Sequence, residues 1–364
     1  MSPRSHFVLV LLLGLPSLAT PSPARNPPAA APGVLRTLPV AGEGGWDYVA
    51  LDPAAGRLYV TRATRVLVLD LEGRTRGEIP ATDGVHGVAL APDLDRGFTS
   101  NGRAGTMTAF RLSTLEVIRE VKTTGANPDA ILYDAATGQV ITFNGSGHNA
   151  TVFDARTLEV KGTIAIGGKP ESCAGDGRGR VFVNVEDTAE LLAINARTRA
   201  VEARWSLAPL GDPTGLAMDA DHQILYSVGR NRLMAVVDAA SGRLLQTLPI
   251  GAGVDAAAFD PGTGCAYASN GDGSLTVIGP DGHGRFAVQA TIPTRKGART
   301  MALDPKTHLI YLPTADFGPA AEARPGQPSR PPMLPGSFRI LVLDPVRRGL
   351  PAKDQQKVIP GQVS

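Results

Sequence analysis

The chain has 364 residues, 36 Lys plus Arg against 34 Asp plus Glu, and only two cysteines. A formal net charge of +2 spread evenly along the chain excludes the basic footprint of a nucleic-acid or acidic-lipid binder. Two cysteines exclude a disulfide scaffold and any CxxC or CxxCH centre. The N-terminus reads as a targeting segment. Arg4 supplies a positive start and Phe7–Leu15 an apolar stretch too short to span a bilayer. The small pairs Ser17/Ala19 and Ser22/Ala24 suit cleavage, so residues 1–24 are predicted to be a signal peptide. The mature protein is then periplasmic or secreted and keeps no membrane segment. Residues 25–33 form a Pro/Ala-rich leader.

From residue 34 to about 350 the sequence repeats itself. LDPAAGRLYV (51–60), YDAATGQVIT (133–142), FDPGTGCAYA (259–268) and LDPKTHLIYL (303–312) are variants of one phrase, with weaker copies starting at Leu90, Gly175 and Met218. The first strand of each unit ends at Asp52, Ala91, Asp134, Asp176, Asp219, Asp260 and Asp304, in steps of 39 to 44 residues. A second anchor recurs at Asp70, Arg111, Asp154, Asn195, Asp238, Gly279 and Asp344. Within a unit the apolar runs are short: Tyr48–Leu51, Leu58–Thr61 and Val66–Leu69 in the first, and Val160–Ile164 as the fourth run of the third. D-P-x-x-G turns separate the first two runs, with Pro where φ is near −65° and Gly where φ is positive. No apolar run has the 3.6-residue period of a long helix.

Four short strands per forty-odd residues, seven times, predict an all-β fold: a seven-bladed β-propeller of four-stranded antiparallel blades. The seventh unit lacks a fourth strand, and an unpaired strand, Val34–Val40, precedes the first unit. Pairing the two removes exposed edges, so the N-terminal strand is predicted to close the last blade. The seventh unit also carries a Pro/Gly-rich insertion at 315–337, and residues 351–364 are a polar tail without strand pattern. Cys173 and Cys265 fall on non-adjacent blades, too far apart for a bridge, and are predicted to be small buried apolar residues.

RLYVT (57–61), the entries GANPDAILYD (125–134) and GGKPESCAGD (167–176), and the tail RPPMLPGSFRILVLDP (330–345) resemble the YVTN-type seven-bladed propellers, in particular the YncE-like family of bacterial secreted propellers. The resemblance spans roughly residues 34–345. It implies the propeller fold and a binding module outside the cytoplasm. WD-repeat signatures are absent.

In a propeller the first strands line a central channel. Five residues before each first anchor stand Asp47, His86, Asp129, Glu171, Thr214, Asp255 and Arg299, predicted to form a ring at the channel mouth. Ten residues after it stand Arg62, Asn101, Asn144, Glu186, Gly229, Asn270 and Thr314, predicted to open onto the same face, with the insertion lying over it. The candidate ligand-binding residues are therefore Asp47, His86, Asp129, Glu171, Asp255, Arg299, Asn101, Asn144 and Asn270, with Trp46 as an aromatic wall or, alternatively, a wedge between blades. Crowded carboxylates resolve their repulsion by raised pKa values, by pairing with Arg299 or by binding a cation. Glu171, Asp129, Asp255 and Asn144 offer oxygen ligands of the kind that suit calcium or magnesium.

Two functions follow. The first is a binding module that presents its mouth to a small ligand or a periplasmic protein. The second is a divalent-metal-dependent hydrolase resembling gluconolactonase-type propellers, with Glu171, Asn144, Asn101, Asp129 and Asp255 holding the ion. His148, His222, His283 and His308 show no paired metal spacing. GSGHNA (145–150) and GDGSL (271–275) have no following helix to receive phosphate and read as hairpin loops.

Overall fold

The computed structural model describes residues 33–319 and 331–346. The predicted signal peptide, most of the leader, the centre of the insertion and the polar tail lie outside them. Among the described residues no helix is long and apolar enough to cross a membrane.

The chain forms seven four-stranded antiparallel sheets arranged as a propeller. Six blades are each built from four consecutive strands; the first runs through Val49–Asp52, Arg57–Arg62, Arg65–Asp70 and Thr75–Ile79. The seventh joins Ala302–Leu303, Ile310–Thr314 and Arg339–Leu343 to the N-terminal strand Val34–Pro39. That strand pairs antiparallel with Arg339–Leu343, Leu38 opposite Ile340 and Pro39 opposite Arg339. The closure follows the sequence expectation, and it gives the last sheet its fourth, outer strand, which covers the edge of Arg339–Leu343.

Burial grades outward from the axis. Second and third strands are covered on both faces, so Arg57–Arg62 and Arg65–Asp70 are buried along all but their first residue. Fourth strands such as Val117–Lys122 sit on the rim, where Arg119, Glu120 and Lys122 are exposed. The core lies between blades: Leu58, Val60, Leu67 and Leu69 of the first pack with Tyr311, Ile340 and Val342 of the last.

The repeated anchors have a local cause. Asp52 Oδ1 accepts from the Ala54 and Ala55 amides at 2.9 Å. Asp176, Asp219, Asp260 and Asp304 accept from turn amides in the same way. These Asx turns cap the hairpin between first and second strands. Asp70, Asp154, Asn195 and Asp238 do the same between third and fourth strands. Both cysteines are free thiols packed at the edges of core clusters.

Candidate functional site at the channel mouth

The ring positions sit where the inner strands are irregular. Pairing with the second strand shifts between Val85 and Val88, Pro128 and Ile131, Pro170 and Cys173, Pro213 and Leu216, and Val254 and Ala256. His86, Asp129, Glu171, Thr214 and Asp255 fall inside these bulges. A bulge frees a residue from the ladder and re-aims its side chain. Bonds between blades then fix the ring backbone. Ser100 donates to the Asp129 carbonyl, Ser269 to the Arg299 carbonyl, and Asn184 Nδ2 to the Thr214 carbonyl at 2.9 Å. Thr300 Oγ1 donates to the Asp47 carbonyl at 2.7 Å, and the Tyr48 amide to the His86 carbonyl at 3.2 Å.

These elements enclose a cavity of roughly 300 Å³ lined by Asp47, Tyr48, His86, Asp129, Lys169, Glu171, Arg230, Gly253, Val254, Asp255 and Arg299. Every blade contributes a charged side chain to it. His86 Nδ1 lies 2.5 Å from Asp47 Oδ2 and 3.7 Å from Asp129 Oδ1. Arg299 Nε lies 2.9 Å from Asp255 Oδ2. Lys169 contacts Glu186 and lies 3.2 Å from Glu171 Oε2, while Arg230 Nη2 lies 3.1 Å from Glu186 Oε1.

The charges move the pKa values of the ring. Burial works against a charged His86, but the hydrogen bond it donates to Asp47 and the negative charges of Asp129, Asp47 and Glu171 win and raise it to about 9. Burial raises Asp129 to about 6; His86 pulls it back, and Asp47 pushes it further up. Burial also raises Glu171, to about 8, with Asp129 and Glu186 adding repulsion that Lys169 only partly offsets. Tyr48 is pushed well up by burial and by the carboxylates of Asp255, Asp47, Asp129 and Glu171, so its phenol keeps its proton. The result is a cavity with two protonatable carboxylates, one imidazolium and paired cations.

Six of the seven expected ring residues line this cavity. The seventh, Thr214, is fully buried, and its hydroxyl is placed between the carbonyls of Val228 and Val254 at 3.3 Å. The second set is placed differently from the expectation. Asn101, Asn144 and Asn270 are fully buried and do not line the cavity. Asn101 Nδ2 donates to Thr106 and Thr108, Asn144 Nδ2 to Asn149 and Thr151, and Asn270 Nδ2 to Ser274 and Thr276. Each amide braces the hairpin of its own blade. Arg62 is buried as well, its guanidinium 3.8 Å above the Phe338 ring and bonded to the Gly42 carbonyl. Only Glu186 of that set reaches the site, as partner of Lys169 and Arg230.

Trp46 packs at 5.1 Å from Phe338 and 6.0 Å from Phe317, away from the cavity. The described ends of the insertion meet in a Phe317–Met333 bridge beside that tryptophan, and none of them lines the cavity. The set of two carboxamides and three carboxylates expected of a hydrolase is therefore not assembled, because Asn101 and Asn144 are spent on hairpins. Asn144 drops out of the expected metal set for the same reason, whereas Asp129, Glu171 and Asp255 do line the cavity. Among the described residues, three ligand-bearing side chains come within 4.8 Å of one another at Asp47, His86 and Asp129.

Lys169, Arg230 and Tyr48 were not anticipated. Lys169 lies two residues before Glu171, and Arg230 directly follows Gly229. The signal for both was a long cation one or two places from a ring position, where reach matters more than register.

No family model and no curated protein matches the chain. Solved structures do. The chain is similar to the structure of U3-55K (TM-score 0.70, 11% identity, 86% of this chain and 100% of that one). It is similar to the RRP9 WD40 repeats (TM-score 0.71, 11% identity, 86% and 99%). A chain of the Mitotic Checkpoint Complex also matches (TM-score 0.67, 15% identity, 84% and 95%). At such identities the likeness establishes the seven-bladed propeller and nothing about chemistry.

Proposed function

We propose that this chain is a YncE-like propeller that works outside the cytoplasm as a binding module, with a small polar ligand held in the mouth cavity. The observation that supports this is the convergence of charged side chains from all seven blades on one concavity. Ligand sites are concave and carry a few placed polar groups. The lining has five carboxylates, counting Glu186, against His86, Lys169, Arg230 and Arg299. All four basic side chains already face a carboxylate, which leaves five acidic groups sharing four cations around the mouth. The ligand it fits carries a cationic group. Location outside the cytoplasm rests on the sequence of residues 1–24.

The test is a thermal-shift screen of residues 25–364, in the presence of chelator, against amino acids, polyamines, amino sugars and their neutral analogues. A cationic class is expected to raise the melting temperature, and Asp129→Asn is expected to weaken it about tenfold, the effect of losing one charged contact. A screen in which no compound shifts the transition, or in which Asp129→Asn changes nothing, removes the reading.

A further inference from the structure

We propose that Asp47, His86 and Asp129 form a site for one divalent transition-metal ion, bound through His86 Nδ1 and one oxygen of each carboxylate. The proposal rests on the cavity assigned above and names one cation for it. The three ligands come from three successive blades, two of them, His86 and Asp129, carried on bulges. Nδ1 lies 2.5 Å from Asp47 and 3.7 Å from Asp129, and all three candidate atoms lie within 4.8 Å of one another. Around an ion with bonds of about 2.0–2.2 Å, neighbouring ligand atoms sit roughly 3 Å apart. Side-chain adjustments of about 1 Å therefore bring the set into coordination range.

The imidazole is held for this role. Its Nε2 edge packs against Gly102, where an added Cβ would come within 2.5 Å of it. Nδ1 is thereby the nitrogen presented to the two carboxylates. One blade further on, Glu171 is an independent pointer. It is 8% exposed, lines the same cavity, and its Oε2 is buried without a hydrogen bond. The Lys169 ammonium, 3.2 Å away, pairs with it but is shared with Glu186, so one cation serves two largely buried carboxylates. A buried acceptor in that state is costly. A water on the neighbouring ion would supply the donor that it lacks.

The donor set also selects the ion. Calcium and magnesium take all-oxygen shells, whereas an imidazole nitrogen favours zinc, manganese, iron or cobalt. Three protein ligands leave coordination positions facing the cavity, where a second ligand can join.

The competing account is that His86 itself, as an imidazolium, is the only cation between the two carboxylates. Calorimetric titration of chelator-treated residues 25–364 with zinc, manganese, cobalt or calcium alone separates the two. One equivalent of zinc or cobalt is expected to bind, about 100-fold more tightly than calcium. Bound cobalt is expected to show visible d–d bands that vanish in His86→Gln. Asp47→Asn and Asp129→Asn are expected to lose affinity about tenfold each, with melting temperatures of the metal-free variants checked to show that they fold. Asp281→Asn, in an exposed turn of the sixth blade, serves as the charge control and is expected to bind as the parent does. Absence of saturable binding by all four ions overturns the proposal. So does stoichiometric binding that survives unchanged in both His86→Gln and Asp129→Asn. Because the ligand screen is run in chelator, either reading can fail while the other stands.

Discussion

A side chain's chemistry and its reach were legible to different degrees. Asn101, Asn144 and Asn270 looked like ligands because amides at equivalent places suggest a shared surface. The recurring hydroxyl or amide partners downstream, Thr106 and Thr108, Asn149 and Thr151, Ser274 and Thr276, were the signal for hairpin bracing. A lone Asn at a strand end does not reveal which face it takes; an Asn with a polar pair across the next turn does. The Asp anchors were legible as turn formers from D-P-x-x-G alone. Asp260 does more than the pattern shows. It is fully buried, accepts from the Gly262 amide and Thr263 hydroxyl at 3.0 Å, and meets His308 of the next blade at 2.8 Å. Asp260→Ala removes a hairpin cap and an inter-blade contact together, and takes the acceptor from the Gly262 amide, the Thr263 hydroxyl and His308. The expected cost is about 2–4 kcal/mol, read as a lower urea midpoint at unchanged slope. Asp281→Ala, in an exposed turn of the sixth blade, is expected to move that midpoint far less.

At the scale of strands, the counting argument worked because each blade needs four strands and the sequence supplied three at one end and one at the other. Strand limits agreed to within a residue or two, since alternation and turn residues set them locally. The insertion was harder to place, because a loop's path depends on what its ends pack against. Its ends are fastened to the first and last blades: Phe317 lies against Trp46, and Arg339 pairs with Asp316. Removing Val34–Pro39 would strip the pairing from all five residues of Arg339–Leu343 and uncover Ile340 and Val342, both fully buried. That variant is expected to elute as aggregate, since a long apolar edge invites pairing with another chain. A soluble monomer with the parent's melting temperature would show that the closure is dispensable. Trp46→Ala tests the aromatic contact separately. Its ring packs on Phe338 and Phe317, so truncation is expected to cost about 2 kcal/mol while leaving cavity ligands unaffected. A loss of binding without a loss of stability would return Trp46 to the site.

Across the whole molecule, the ring is what the repeat was able to foretell. Equivalent register brings residues about forty apart in sequence to one axis, and six of seven expected positions meet there. Register cannot foretell that Lys169 and Arg230 reach in to neutralise part of the charge. It therefore cannot foretell which carboxylates are left strained. That balance has a pH signature in the metal-free protein. Asp129 and Glu171 stand above the ordinary carboxylate range, at about 6 and about 8, and His86 stands above the ordinary imidazole value, at about 9. All three mean that the folded state holds protons that the unfolded chain releases. Stability then falls as pH rises: first through the window from about 4 to 6 set by Asp129, then up to about 8 by Glu171, and finally to about 9 as His86 loses its charge. The melting temperature is expected to decline steadily between pH 5 and pH 9. Glu171→Gln removes the middle window, because a neutral amide never has to ionise beside Asp129 and Glu186. At pH 5 it is expected to melt with the parent, and at pH 8.5 several degrees above it, for a difference on the order of a few kcal/mol. A flat parental profile, or a variant that is less stable at pH 8.5, would show that the carboxylate is already satisfied by Lys169 and that the mouth has no surplus negative charge to offer a ligand.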